Sequence, residues 1–181
     1  MKRISALPAR ERILLTAHEL FYLQGIRATG VDRVIAEAGV TKVTFYRHFP
    51  SKSDLIRAFL EYRHERWLAW FNESVERHGG NIHALVPVLA EWFQSKEFRG
   101  CAFINTVGEL ASDLPDVVDI TRRHKESVAT AIANLLPALD DRDEMASALA
   151  MAIDGAIVRA QYDSEPASTL RALDKIISAM I

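Results

Sequence analysis

Apolar residues recur at helical spacing along the whole chain, and no segment alternates with the two-residue period of a strand. Ile13, Leu14, Ala17, Leu20 and Phe21 make one face of a helix over 8–24. Pro8 suits its first turn, and Gly25 suits the left-handed residue that stops it. Thr29-Gly30-Val31-Asp32 reads as a capping box opening a short helix over 31–38, which Gly39 ends. Thr41 is placed to cap a third helix over 42–49, which Pro50 ends. Ser51-Lys52-Ser53-Asp54 is a second capping box, and the stripe from Leu55 to Val75 carries its helix to about residue 78, roughly 40 Å at 1.5 Å per residue. Further helices are expected over 81–94 (kinked at Pro87), 101–111, 115–136, 141–162 and from Pro166 onward. The fold class is all-α, with about nine helices.

Composition narrows the classes. The 181 residues are 49% apolar, enough for a core, yet no run approaches the ~18 apolar residues of a membrane span. The basic start, Met1-Lys2-Arg3, leads into Pro8 and Arg10-Glu11-Arg12 and not into an apolar signal core. Cys101 is the single cysteine, which excludes an intrachain disulfide and a cysteine-based zinc site. A cytoplasmic protein without membrane, metal or cofactor is expected. No glycine-rich phosphate loop, HExxH or nucleophile elbow occurs. His78 and His83 are five apart across Gly79-Gly80, so they are not an i, i+4 metal pair. An enzyme is therefore not expected.

Charge is unevenly placed. Residues 1–60 hold ten Lys and Arg against five Asp and Glu, whereas the rest hold twelve against nineteen. A basic head on an acidic body suits a polyanionic partner. The second and third helices, joined by Ala38-Gly39-Val40-Thr41, form a helix-turn-helix pattern. Phe21, Val31, Val34, Ile35, Val40, Phe45 and Phe49 fill its interior. Lys42, Val43, Thr44, Tyr46, Arg47 and His48 remain for phosphates and base edges. Lys52 stands at the start of the long helix, where the helix dipole favours a phosphate. On pattern alone, an ordinary helical hairpin with a solvated face remains open.

The residues Arg12-Ile13-Leu14, Ala17, Leu20-Phe21, Gly25, Thr29, Val34-Ile35-Ala36 and Ala38-Gly39-Val40-Thr41, with the run TFYRHFPSKSDL from Thr44 to Leu55, closely resemble the tetracycline-repressor (TetR) family of bacterial transcriptional regulators. The resemblance is dense over about residues 10–60. It implies a helix-turn-helix DNA-binding head over 1–50, a linking helix over 51–78, and a helical effector-binding and dimerising body over 51–181. Carried over position by position, it implies DNA contacts from Lys42, Val43, Thr44, Tyr46 and His48, with Thr29, Val31, Arg33 and Lys52 adding to them. Two positions depart from the pattern: Phe45 stands where Leu is commoner, and Val43 where Gly, Pro or Ala is frequent. The implied partners are an operator duplex, a second copy of the chain and a small-molecule effector. The outcome implied most often is repression. A helical ligand-binding protein or enzyme with a vestigial head is the alternative. The segment Gly100 to Asn105 is similar to one branch of the family and names no ligand.

Two further surfaces follow from the residues. Ala148, Ala152, Ala156 and Ala160 form a ridge flanked by Met145, Leu149, Ile153 and Ile157, where another helix could approach closely. With Leu170, Leu173 and Ile177 they suit a four-helix dimer interface or, equally, packing inside one protomer; the resemblance favours the interface. Trp67, Trp70, Phe71, Trp92, Phe93, Phe103 and Ile104 could line an apolar effector pocket, with His64, Asn105, Glu109, Arg122 and His124 as its polar groups. Cys101 fits there as a sensing thiol or, more ordinarily, as a small buried hydrophobe.

Overall fold

The structure, a computed structural model, describes residues 6–138 and 140–181. Among the described residues there is no strand. Nine α-helices follow in order: α1 (Ala9–Gln24), α2 (Val31–Ala38), α3 (Lys42–His48), α4 (Lys52–Arg77), α5 (Leu85–Phe93), α6 (Ala102–Leu110), α7 (Asp116–Ala133), α8 (Arg142–Ala160) and α9 (Pro166–Met180). No helix among them is long and apolar enough to cross a membrane.

Local chemistry sets most of the boundaries. Gly39 ends α2 in the left-handed region at φ 62°. The Thr41 hydroxyl accepts the Thr44 N–H at 3.1 Å and caps α3. Ser51 Oγ accepts the Asp54 N–H at 3.1 Å and donates to the Asp54 carboxylate at 2.7 Å, opening α4. That hydroxyl, helped by Arg57 and opposed by burial, holds the Asp54 carboxyl below the ordinary aspartate range.

Two local expectations are corrected. The capping box at Thr29 does not form. Gly30 is the N-cap of α2 and supplies no side chain, while Thr29 is buried and donates its hydroxyl back to the Gly25 carbonyl at 2.8 Å. Pro87 does not kink a long helix. A 3₁₀ turn over Ile82–Ala84 precedes α5, and Pro87 sits in the first turn of α5, where its missing N–H is tolerated.

The chain divides into two compact units, residues 6–64 with 102–120, and residues 65–101 with 121–181. The unit that holds the helix-turn-helix is thus larger than residues 1–50, because it takes in the first half of α4 and all of α6. In it, α1 packs on α2 and α3. Its core is Ile13, Ala17, Leu20, Phe21, Val34, Phe45, Phe49, Leu55 and Phe59, with Phe21 edge-on to Phe59 at 5.5 Å. In the second unit, α9 packs on α8 and α5. Leu85, Val88, Leu89, Leu149, Ile153, Ile157, Leu173 and Ile177 fill its core.

Candidate nucleic-acid interface

In α3 only Phe45 is buried, and with Phe49 just beyond the helix it anchors the segment. The opposite face is open: Val43 is 70% exposed and Tyr46 43%. Lys42 and Arg47 are exposed beside them. Arg47 lies one turn after Val43 and shares this outward face, as its place in the exposed set of α3 predicts, although the resemblance does not name it among the contacts. Thr44 and His48 are half-buried at its flank. The Thr44 and Thr41 hydroxyls share a hydrogen bond at 2.9 Å. Lys42 stands 3.9 Å from Asp32, and both side chains are largely exposed, so this pair holds the ammonium weakly. The result is a small apolar contact ringed by cations and a phenol, the mix that phosphates and base edges need.

Other expected contacts are engaged inside the protein. Arg33 donates from Nε to Glu37 at 2.8 Å and also bonds Gln24. Val31 is half-buried. The burial of Thr29 removes its side chain from any DNA contact. Lys52 Nζ donates to the Ile26 carbonyl at 2.6 Å. Burial lowers its ammonium from the ordinary lysine range, with Glu109 opposing and Arg27 adding.

The loop between α1 and α2 is fastened from α6. Glu109 accepts the N–H groups of Ile26 at 3.3 Å and Arg27 at 2.8 Å, and Arg27 Nε donates to the Glu109 carbonyl at 2.6 Å. Arg27 also pairs with Asp113. Glu109 is therefore a fastening of the first unit and not one of the effector groups expected from the sequence. Nothing in the local pattern around Glu109 showed this, because its partners lie about eighty residues earlier.

Residues 13–59 match the family model described as bacterial regulatory proteins, tetR family. The crystal structure of SCO4454, a TetR-family transcriptional regulator from Streptomyces coelicolor, is 30% identical with a TM-score of 0.84, over 95% of this chain and 87% of that one. The chain belongs to the TetR family. The repressor BepR of Brucella suis is 25% identical over 151 residues, 80% of this chain and 72% of that protein. The regulator UidR of Escherichia coli is 37% identical over 71 residues, 39% of this chain and only 36% of UidR. The chain is accordingly a DNA-binding transcriptional regulator.

The remaining expected residues divide between the two units. In the second unit, Trp67 sits among four rings: Phe71 stacked at 5.0 Å, His124 at 5.5 Å, Trp92 at 5.7 Å and Trp70 at 6.0 Å. Phe93 is buried beside Trp92 and Phe98. Cys101 is buried, and Lys125, paired with Asp154 at 2.5 Å, also bonds it. His64, Phe103, Ile104 and Asn105 belong to the first unit, Phe103 buried and the others half-buried. Two open clefts beside α7, of about 430 and 360 Å³, are lined by other residues, among them Asn72, Glu76, Thr130, Asn134 and Arg142.

Much of the expected dimer ridge is taken up inside one protomer. Leu149 and Ile177 are fully buried within one protomer, and Ile153, Ile157 and Leu173 nearly so; Ala156 and Ala160 are buried with them. Such side chains have no surface left to offer a second copy. Met145, Ala148, Ala152 and Leu170 are half-buried. Apolar groups that reach solvent lie on the opposite face of α8, Met151 at 73% and Val158 at 41% exposed, and in the turn just after it, Tyr162 at 76%, with Ile176 of α9 at 42%. Gly155 lies in that stripe, and a Cβ there would meet nothing within 4 Å.

Proposed function

We propose that this chain is a homodimeric repressor that leaves its operator when a small molecule binds the second unit. One observation carries the reading. The chain exposes an apolar stripe at helical spacing, Met151, Gly155, Val158 and Tyr162, in the same body whose head exposes Lys42, Val43, Tyr46 and Arg47. An exposed apolar stripe favours a second helix pair, and the small Gly155 allows close approach. A twofold pair presents two recognition helices, which suits a near-palindromic site with half-sites about 34 Å apart or a multiple of that. The name of BepR as a repressor supports the direction of control. Such a protein works in the cytoplasm, where its operator is.

Lys42, Val43, Tyr46 and Arg47 read and position the duplex in this proposal, and Thr44, His48 and Lys52 flank it. An effector releases DNA only if it binds more tightly to the body geometry that holds the heads at the wrong spacing. The test is an anisotropy titration against the DNA flanking the chain's own gene, with scrambled duplex as control, at about 150 mM salt. Preference for the flanking duplex by about 10³-fold or more is expected. Equal, weak binding to both would favour a vestigial head. Tyr46→Ala should weaken binding and leave the dimer intact. Lys42→Ala should reduce the salt slope by about one; an unchanged slope would remove Lys42 from the phosphates.

A further inference from the structure

Trp67 is 8% exposed, yet its indole N–H meets no acceptor among the described residues. An unmet buried donor loses its hydration without return, so native proteins seldom leave one. Trp70, one turn along α4, shows the ordinary arrangement, since its side chain hydrogen-bonds the Glu91 carboxylate. The Thr121 hydroxyl in the same unit is buried and without a partner as well. Around Trp67 the groups are rings: Phe71 lies stacked on it, with an interplanar angle of 13°, while Trp70, Trp92 and His124 stand across it. Trp70 and Trp92 are only half-buried, which leaves ring surface open to a molecule from outside. Lys125, a half-buried cation of this unit, is paired with the Asp154 carboxylate. Most of the groups around Trp67 are uncharged rings, so an anion placed among them would give up hydration that a neutral molecule has no need of.

We infer that the Trp67 cluster binds a neutral ring molecule bearing one acceptor oxygen, a ketone or aldehyde, which takes the Trp67 indole N–H while its ring lies against Trp70 and Trp92. This rests on the proposed effector control and names the chemical class of the effector. The rings supply area without direction. The N–H supplies direction, because it rewards a carbonyl and gives nothing to a hydrocarbon of the same shape.

The experiment uses the whole protein and a matched pair of probes, 1-tetralone and tetralin, which differ at one carbonyl. All three tryptophans of the chain, Trp67, Trp70 and Trp92, belong to this cluster, so both fluorescence and the indole N–H resonances report on it alone. Trp67→Phe, which keeps a ring for stacking on Phe71, assigns the resonance. The expected result is that 1-tetralone moves the Trp67 N–H resonance and binds about tenfold more tightly than tetralin. The preference should vanish in Trp67→Phe. Equal binding of the two probes, no binding of either at millimolar concentration, or a long-lived water already on the Trp67 N–H would each overturn the inference. The wild-type comparison of the two probes stands even if the variant fails to fold. Operator binding is measured alongside. A ketone that engages Trp67 without releasing DNA keeps the site and removes effector control. Sequence-selective DNA binding with no ketone effect keeps the regulator and removes the site.

Discussion

Val43 on α3 and Met151 on α8 are exposed to nearly the same degree, 70% and 73%, but their surroundings differ. Val43 shares its face with Lys42, Tyr46 and Arg47, so what approaches must be anionic as well as apolar. Met151 shares its face with Gly155, Val158 and Tyr162, so what approaches must be apolar and able to come close. In the proposed function the same hydrocarbon would be a contact for a thymine methyl or a groove wall in one place, and part of a helix–helix surface in the other. Exposure marks a surface as available. The neighbouring charges and side-chain volumes decide what it is available for.

The comparison can be broken at either end. The largest effect is expected from Phe45→Ala. This fully buried side chain anchors α3, and its removal should cost about 3–5 kcal/mol in urea unfolding and abolish selective DNA binding. Retained stability would mean that α3 is held by something other than Phe45. Met151→Glu should come next, raising the dimer dissociation constant by tenfold or more, read as mass by sedimentation. A dimer unaffected by that charge would move the interface off this face of α8. Glu109→Ala leaves the Ile26 and Arg27 N–H groups without their acceptor. A loss of about 1–3 kcal/mol is expected, with faster amide exchange at Arg27; unchanged exchange would show that the loop holds without α6.

The smallest effect is one of pH. The Asp54 carboxyl is held below its ordinary value first by the Ser51 hydroxyl. A lowered folded value contributes stability above the unfolded pKa of about 3.9, and that contribution is lost as pH falls through the folded value. The stability gap between wild type and Asp54→Asn should therefore be full above about pH 5 and close on further acidification. A gap that stays constant with pH would place the effect elsewhere.

What the sequence by itself determined was short-range. Helical period placed all nine helices, and Thr41 and Ser51 capped α3 and α4 as read, because a cap and its N–H lie within three residues. The outward set of α3 was legible because Phe45 and Phe49 declare the inner side of so short a helix. Of that set, Lys42, Val43, Tyr46 and Arg47 are exposed, while Thr44 and His48 are half-buried.

The tertiary structure decided whatever depended on distant partners. Residue type made Thr29 a plausible cap and contact, and only packing showed it buried with its hydroxyl turned back to Gly25. Glu109 has the residue type of a pocket group, but in space it lies against the N–H groups of Ile26 and Arg27. Helix α8 has apolar residues all around it, so its period could not say which face meets α9. The answer, Leu149, Ile153 and Ile157 inward and Met151, Val158 and Tyr162 outward, comes from that contact. An unmet donor such as the Trp67 N–H is likewise invisible in a sequence. Whether a polar group has a partner is set by what surrounds it in space, and neighbours in the chain do not determine that.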